Sequence, residues 1–157
     1  MKAGFRIVGL PATQFEPFYS LNDEELAVRG ARRMTVDAKP GFPCRVSLED
    51  AEIGEQVILL PFLHHEVESP YRASGPIFVR ENAKEAALSV GEVPELVSTR
   101  TMSVRAYDEN SMMIDGTVVP GSEIKAHIEK LFADPKIAYL HLHNAGAGCY
   151  SCRVERV

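Results

Sequence analysis

The stretch that decides the fold is Thr101-Met102-Ser103-Val104-Arg105-Ala106-Tyr107-Asp108. Apolar and polar side chains alternate along it, and a period of two places each set on its own face of a β-strand. The three residues that follow, Glu109 to Ser111, are a plausible turn into a returning strand. The sequence therefore predicts an antiparallel hairpin with one core-facing side.

Similar short runs of β-branched and aromatic residues, bounded by Gly, Pro, Asn and Asp, extend in both directions from this hairpin. They predict strands over residues 5–10, 31–36, 44–48, 56–63, 76–80, 101–108, 112–119, 137–144 and 149–157. The chain is therefore expected to be mostly sheet, with strand pairing that local patterns do not reveal.

Two helices interrupt the predicted strands. Asn22 and Glu25 have the spacing of a capping box and Gly30 supplies a stop, which predicts a helix over residues 23–29. Ser122 is expected to cap a second helix that begins at Glu123 and carries an apolar stripe of Ile124, Ile128, Leu131 and Phe132. Residues 83–88 suit either a weak helix or a surface excursion. The predicted class is α+β, with a largely antiparallel or mixed sheet and about two helices.

Composition and charge limit what the chain can be. Its 157 residues, 45% of them hydrophobic, suit one core, so we expect a single compact domain over residues 1–157. A net charge of -5 argues against nucleic acid as a partner. The longest apolar run, residues 57–63, is too short to span a membrane. Charges near the N-terminus and three cysteines, an odd number, lead us to expect a cytoplasmic protein.

The segment Tyr139-Leu140-His141-Leu142-His143 is the richest in chemistry. Tyr139, His141 and His143 should share one face of a strand, with both leucines on the other. A strand-borne pair of imidazoles is a common beginning of a site for a transition metal such as zinc. Its further ligands would come from Cys149 or Cys152, from His64 or His65, or from Asp108. The alternative is that the histidines are polar cover and the cysteines are buried structural residues.

The other histidines are expected to contribute less. His64 and His65 follow an apolar strand and should take opposite faces, so that at most one of them joins any given site. His127 lies beside the apolar stripe of the second helix, which predicts a packed, hydrogen-bonded core histidine.

Arginines supply the candidate ligand-binding groups. Arg72 and Ser74, in a loop rich in Pro and Gly, have the chemistry to bind a carboxylate or phosphate. The alternative is that Arg72 pairs with a structural carboxylate or caps carbonyls of its own loop. Arg45, Arg105 and Arg153 lie in predicted strands. They would either gather into a basic pocket or cover a solvated face.

Four groups of residues resemble a known bacterial family, domain of unknown function 1203. The first group is Gly41-Phe42-Pro43-Cys44-Arg45-Val46-Ser47-Leu48-Glu49-Asp50, and the second runs from Ser69 to Glu81. Arg105-Ala106-Tyr107-Asp108 and the segment from Tyr139 through Tyr150 continue the match in order. The resemblance implies a small, soluble, stand-alone bacterial protein, and it implies no activity, cofactor or catalytic residue.

Two functions remain open. The first is a small-molecule site for an anionic ligand, as a binding protein or an enzyme, with His141, His143 and Tyr107 as catalytic candidates and Arg72, Ser74 and Arg105 as ligand-binding candidates. A metal in this site would be held by His141, His143 and Cys149. The second is a non-catalytic interaction module that forms a homodimer or another protein contact, which an apolar patch of Met112, Met113 and Ile114 would favour.

Overall fold

The computed structural model describes residues 4–157 and contains two antiparallel sheets. Three residues, 1–3, carry part of the N-terminal charge pattern used above and lie outside the described residues. The strands are β1 Phe5–Val8, β2 Arg32–Thr35, β3 Gln56–His65, β4 Ala73–Arg80, β5 Thr101–Tyr107, β6 Met113–Pro120, β7 Tyr139–Asn144 and β8 Tyr150–Arg156. The five-stranded sheet has the order β1-β8-β7-β5-β6 and the three-stranded sheet the order β2-β3-β4.

Four short helices accompany the sheets: α1 Glu16–Tyr19, α2 Asp23–Val28, α3 Glu95–Ser98 and α4 Ile124–Phe132. The α+β class is therefore confirmed, with two one-turn helices beyond the two expected. The capping box of α2 is present, because the Glu25 N–H donates to Asn22 Oδ1 and the Asn22 N–H donates to Glu25 Oε1. The predicted Ser122 cap is wrong, since a 3-10 turn at Gly121–Glu123 precedes α4 and no side chain caps the helix.

The predicted β5 and β6 hairpin is confirmed by a register that runs from Thr101 opposite Pro120 to Tyr107 opposite Met113. The strand predicted over residues 44–48 is wrong. That segment makes only isolated bridges and then turns, with Leu48 in the left-handed region at φ 54°. Residues 83–88 form no helix, so the surface excursion describes them.

The main core lies between one face of the five-stranded sheet and the helices α3 and α4. Leu140 and Leu142 of β7 are fully buried there, as expected, and pack in one cluster with Ile128 and Phe132 of α4. His127 is outside this core: it is half-buried, and its Nε2 has no hydrogen-bond partner in the described part of the chain, so the prediction of a packed, hydrogen-bonded core histidine is wrong.

The three-stranded sheet has its own core. Ile58 and Leu60 of β3 and Ile77 and Val79 of β4 pack there with Leu26 of α2. Farther along the chain, β3 extends past this core, and its last residues reach the polar face of the five-stranded sheet, where His64 and His65 contact rings of β7. The two sheets therefore meet at a junction made of polar and aromatic side chains.

The strand β6 forms one edge of the larger sheet. Ile114 and Val118 of this strand and the preceding Met112 are exposed, whereas Met113 is half-buried. Among the described residues, no helix has the length and apolar character needed to cross a membrane.

The central role of β7 leads to a test of stability. Leu142→Ala removes a fully buried side chain from the main core, so we expect the free energy of unfolding to fall by about 2–5 kcal/mol. Val118→Ala, on the exposed edge strand, is the matched control and should change it by less than about 0.5 kcal/mol. Urea denaturation of the three proteins checks this, and equal effects of the two substitutions would contradict the placement of β7.

Candidate functional site

The register of three adjacent strands brings the predicted polar face together. Arg105 of β5 lies opposite His141 of β7, which in turn lies opposite Arg153 of β8. Opposed residues of neighbouring strands project from the same face of a sheet. Tyr107 and Tyr139 form the next pair along, and their rings stack at a centroid distance of 5.2 Å.

Two irregularities of strand register add residues that periodicity did not assign to this face. A shift between Leu142 and His143 places Tyr150 of β8 opposite His143. A second shift, between Phe62 and His65, occurs at the end of β3. A bulge interrupts the strict alternation of side chains.

Both histidines at the end of β3 consequently join the site. The His64 ring centroid lies 5.2 Å from that of His143, and the His65 centroid lies 4.7 Å from that of His141. The prediction that at most one of the two joins any given site is wrong, because the bulge removes the opposition of their side chains.

These groups form what we call the imidazole–arginine cluster. It comprises His64, His65, His141, His143, Tyr107, Tyr139, Tyr150, Arg45, Arg105 and Arg153. His141 and His143 are buried to 2% and 1% exposure, so the cluster is part of the interior and not a surface patch. His64 and Arg105 are half-buried and mark its outer side.

Three imidazoles in the cluster surround a common region. The ring centroids of His64, His141 and His143 are separated by 6.2 Å, 5.2 Å and 6.3 Å. His64 stacks on Tyr150 at 5.1 Å, which fixes its plane. Each of the three histidines has one buried ring nitrogen that finds no hydrogen-bond partner among the described residues: His64 Nδ1, His141 Nδ1 and His143 Nε2.

The fourth imidazole is saturated by the protein. His65 Nδ1 lies 2.8 Å from the Tyr71 carbonyl, so this nitrogen carries the proton and donates. His65 Nε2 is then the acceptor for the Tyr139 hydroxyl at 2.6 Å. The Tyr139 oxygen also shares a hydrogen bond with Ser111 Oγ at 2.9 Å. His65 therefore connects the loop at Tyr71 to β7.

Burial keeps the imidazoles neutral. Desolvation lowers the pKa of His64 and of His143 to about 4 and that of His141 to about 2. Neighbouring imidazoles and nearby arginines contribute to these lowered pKa values, and the hydrogen bond to the Gly148 carbonyl opposes the shift of His143. Desolvation also raises the pKa of Tyr107, against the opposing charge and hydrogen bond of Arg105.

The arginines of the cluster differ from the arginines that hold the fold together. Arg100 binds both oxygens of Asp50 and Arg80 binds both oxygens of Glu55. Arg45, by contrast, is 4% exposed and donates to two backbone carbonyls, of Tyr150 at 2.8 Å and Pro43 at 2.6 Å. Within residues 4–157, neither Arg45 nor Arg105 forms an ion pair with a carboxylate.

The third arginine of the cluster, Arg153, is half-buried and contacts one aromatic ring and one carboxylate. The Arg153 guanidinium carbon lies 4.1 Å from the centroid of the Tyr139 ring, a cation–π contact. Its Nε is 3.3 Å from Glu155 Oε1 but makes no hydrogen bond. Of the three arginines predicted to lie in strands, Arg45 is buried and lies in a turn, whereas Arg105 and Arg153 lie in strands and are half-buried.

Two predicted ligand-binding residues lie elsewhere. Arg72 is exposed and donates to the Val67 carbonyl of its own loop, which is the capping alternative given above. Ser74 is exposed in β4, which begins three residues earlier than predicted. Neither is among the residues in contact with the histidine rings.

The metal candidates do not form a ready-made centre. Cys149 is a half-buried free thiol before β8, and Cys44 and Cys152 are buried and also free. Burial raises the pKa of Cys152 to about 12, as expected of a structural thiol. In the part of the chain that the structure describes, no group of three or more His, Cys, Asp or Glu residues is arranged to hold a metal ion.

A large surface cavity lies away from the cluster. It has a volume of about 1010 Å³ and lies between the β5–β6 turn and the end of α4. Its arginine, Arg156, already donates to the carbonyls of Phe132, Asp134 and Ile137. The Arg156 guanidinium therefore caps carbonyls at and after the end of α4, which is a structural role. For this reason we do not choose the cavity as the candidate site.

The fold and site define an α+β protein of two antiparallel sheets that join through a buried imidazole–arginine cluster. The chain belongs to the family described as "Protein of unknown function (DUF1203)", whose model matches residues 41–156. This range includes all members of the cluster. No curated protein and no solved structure matches the chain.

The depressed pKa values predict a loss of stability in mild acid. Unfolded histidines titrate near 6.5, whereas His64 and His143 in the folded protein titrate at about 4. Between these values the unfolded chain binds more protons, so the free energy of unfolding should fall as the pH drops from about 6.5 towards 4. Urea denaturation at pH 7, 6 and 5 measures this slope.

The His143→Phe variant isolates the contribution of the cluster from that of the carboxylates. It removes one titrating imidazole, so its slope between pH 7 and 5 should be shallower than that of the parent. A slope that the substitution leaves unchanged would show that His143 is not a buried neutral imidazole.

Proposed function

We propose that this protein binds a small anionic ligand at the imidazole–arginine cluster. The observation that carries the proposal is a pair of arginines beside neutral imidazoles, one fully buried and one half-buried, that have no carboxylate partner within residues 4–157. A buried charge without a counter-charge is unfavourable, and an incoming anion would relieve that cost. Guanidinium groups bind carboxylate and phosphate oxygens with two parallel hydrogen bonds.

Several features support this assignment. Arg45 uses Nε and Nη1 for backbone carbonyls and so is held in place with Nη2 outside those bonds. The charged side chains that act most strongly on His143 are arginines, which makes the surroundings electropositive. The half-buried positions of His64 and Arg105 offer a side from which a ligand can approach.

An enzyme built on this site would use the same groups. The lowered pKa values make His141 and His143 weak bases in the unliganded protein, and the raised pKa of Tyr107 keeps its hydroxyl protonated. A bound anion would raise the pKa of both imidazoles towards the range of a general base. The free cysteines fit the reducing conditions of a cytoplasmic location, which we propose for the protein.

Anion binding depends on the cluster arginines under this proposal. Arg105→Met should weaken binding of phosphate or acetate at least about tenfold, because a charge-assisted hydrogen bond contributes about 1.5–3 kcal/mol. Titration at low ionic strength, followed by amide chemical shifts, measures the affinity. Arg72→Met is the matched control, since Arg72 is exposed outside the cluster, and its affinity should stay within about twofold of the parent. Equal losses in both variants, or no binding to the parent, would overturn the proposal.

A metal-assisted form of the same function is a second candidate, and the three unpartnered ring nitrogens favour it. Because their present arrangement does not hold an ion, His64, His141 and His143 would have to rotate to form a zinc site. The test is the metal content of protein purified without an affinity tag. Stoichiometric transition metal that disappears in a His141→Ala, His143→Ala double variant would support this form, and metal-free folded protein would remove it.

An interaction module remains the alternative from a different class. Exposed Met112, Ile114 and Val118 along the edge strand β6 are the surface that favours it. A homodimer formed there should have twice the chain mass in sedimentation, and Ile114→Asp should return it to the monomer mass. A monomeric parent at high concentration would exclude the dimer.

A further inference from the structure

One imidazole of the cluster has its protonation fixed by the backbone. His143 Nδ1 lies 2.9 Å from the Gly148 carbonyl oxygen. A carbonyl only accepts hydrogen bonds, so Nδ1 carries the proton and donates. In a neutral imidazole the other nitrogen, Nε2, then has a lone pair and no proton. This Nε2 is buried and has no partner within residues 4–157.

The neighbouring histidines show that this is a special position. His65 has both ring nitrogens engaged, by the Tyr71 carbonyl and the Tyr139 hydroxyl. The unpartnered nitrogens of His64 and His141 are Nδ1 atoms, and within residues 4–157 no carbonyl accepts from them to fix the tautomer of either ring. The His143 lone pair is therefore the acceptor that the fold prepares in advance, and leaving a buried acceptor without a donor is unfavourable.

We propose that the ligand of the imidazole–arginine cluster is a small hydroxycarboxylate, whose carboxylate binds the arginines and whose hydroxyl donates to His143 Nε2. This inference rests on the proposed function, because it specifies which anion the same site selects. Arg105 lies opposite His141, two residues from His143 on the same face of β7, and Arg45 donates to the carbonyl of Tyr150, which lies opposite His143, so cation and acceptor belong to one locality.

The positive charge near His143 favours a neutral hydrogen-bond donor to Nε2 over a cationic one. An ammonium group would also donate to the lone pair, but it would enter a region where the neighbouring charges are guanidinium groups. Like charges in a poorly solvated site repel strongly. A neutral hydroxyl supplies the hydrogen bond without that repulsion, so hydroxy acids should bind in preference to amino acids.

The test compares three two-carbon ligands: glycolate, acetate and glycine. Glycolate should bind the parent about tenfold more tightly than acetate, which leaves the acceptor unpaired, and more tightly than glycine. In His143→Phe, which keeps an aromatic ring but has no lone pair, glycolate and acetate should bind alike. In His127→Phe, a half-buried histidine on α4 away from the cluster, the preference for glycolate should remain.

A direct measurement avoids dependence on the folding of the variant. The ¹⁵N chemical shifts of His143 in the parent should show a protonated Nδ1 and an unprotonated Nε2. Glycolate should move the Nε2 signal in the direction of hydrogen bonding, and acetate should not. An Nε2 that already carries the proton would overturn the inference.

The outcomes separate the two proposals. If none of the three ligands, nor phosphate, binds the parent, both the proposed function and this inference fail. If acetate and glycolate bind equally to the parent and both lose affinity in Arg105→Met, the anion site stands and the hydroxyl preference is wrong.

Discussion

The structure depends on the position of β7 between β5 and β8. Both edges of this central strand are hydrogen-bonded to neighbouring strands, and its successive side chains point to opposite faces of the sheet. The two faces therefore meet different surroundings. On one face Leu140 and Leu142 join the main core below α4. On the other face His141 and His143 meet the end of β3. The same alternation that secures the core thereby builds the candidate site, and neither can shift register without the other.

The arginines of this protein fall into two groups: some form ion pairs that stabilise the fold, and others belong to the imidazole–arginine cluster. Ion pairs such as Arg100 with Asp50 and Arg80 with Glu55 are bidentate and connect segments distant in sequence. Arg45 is held instead by hydrogen bonds to two backbone carbonyls, which carry no negative charge to balance the guanidinium. Proteins satisfy buried polar groups almost everywhere, and departures from that rule concentrate at sites that bind something. The unsatisfied groups of the cluster, as found within residues 4–157, are the observation on which our proposal of a ligand rests.

Residues from two loops are hydrogen-bonded to the imidazole–arginine cluster at its periphery. Tyr71 and Ser111 come from loops distant from β7 in sequence, and hydrogen bonds join them through His65 and Tyr139. Ser111 adopts a left-handed backbone at φ 60°, a conformation that is uncommon for serine. The network holds the end of the three-stranded sheet against the five-stranded sheet, so the surroundings of the imidazoles are fixed before any ligand arrives.

The sequence by itself determined the local features: the alternating faces of β5 and β7, the α2 capping box, the apolar stripe of α4, and the shared face of Tyr139, His141 and His143. These depend on neighbours a few residues apart, whose spacing the sequence shows directly. Only the tertiary structure decided that His64, His65, Tyr150 and Arg45 join that face, and that residues 44–48 turn instead of forming a strand. Strand bulges and contacts between sheets depend on groups far apart in the chain, and the free energy of such packing leaves no periodic signal in the sequence.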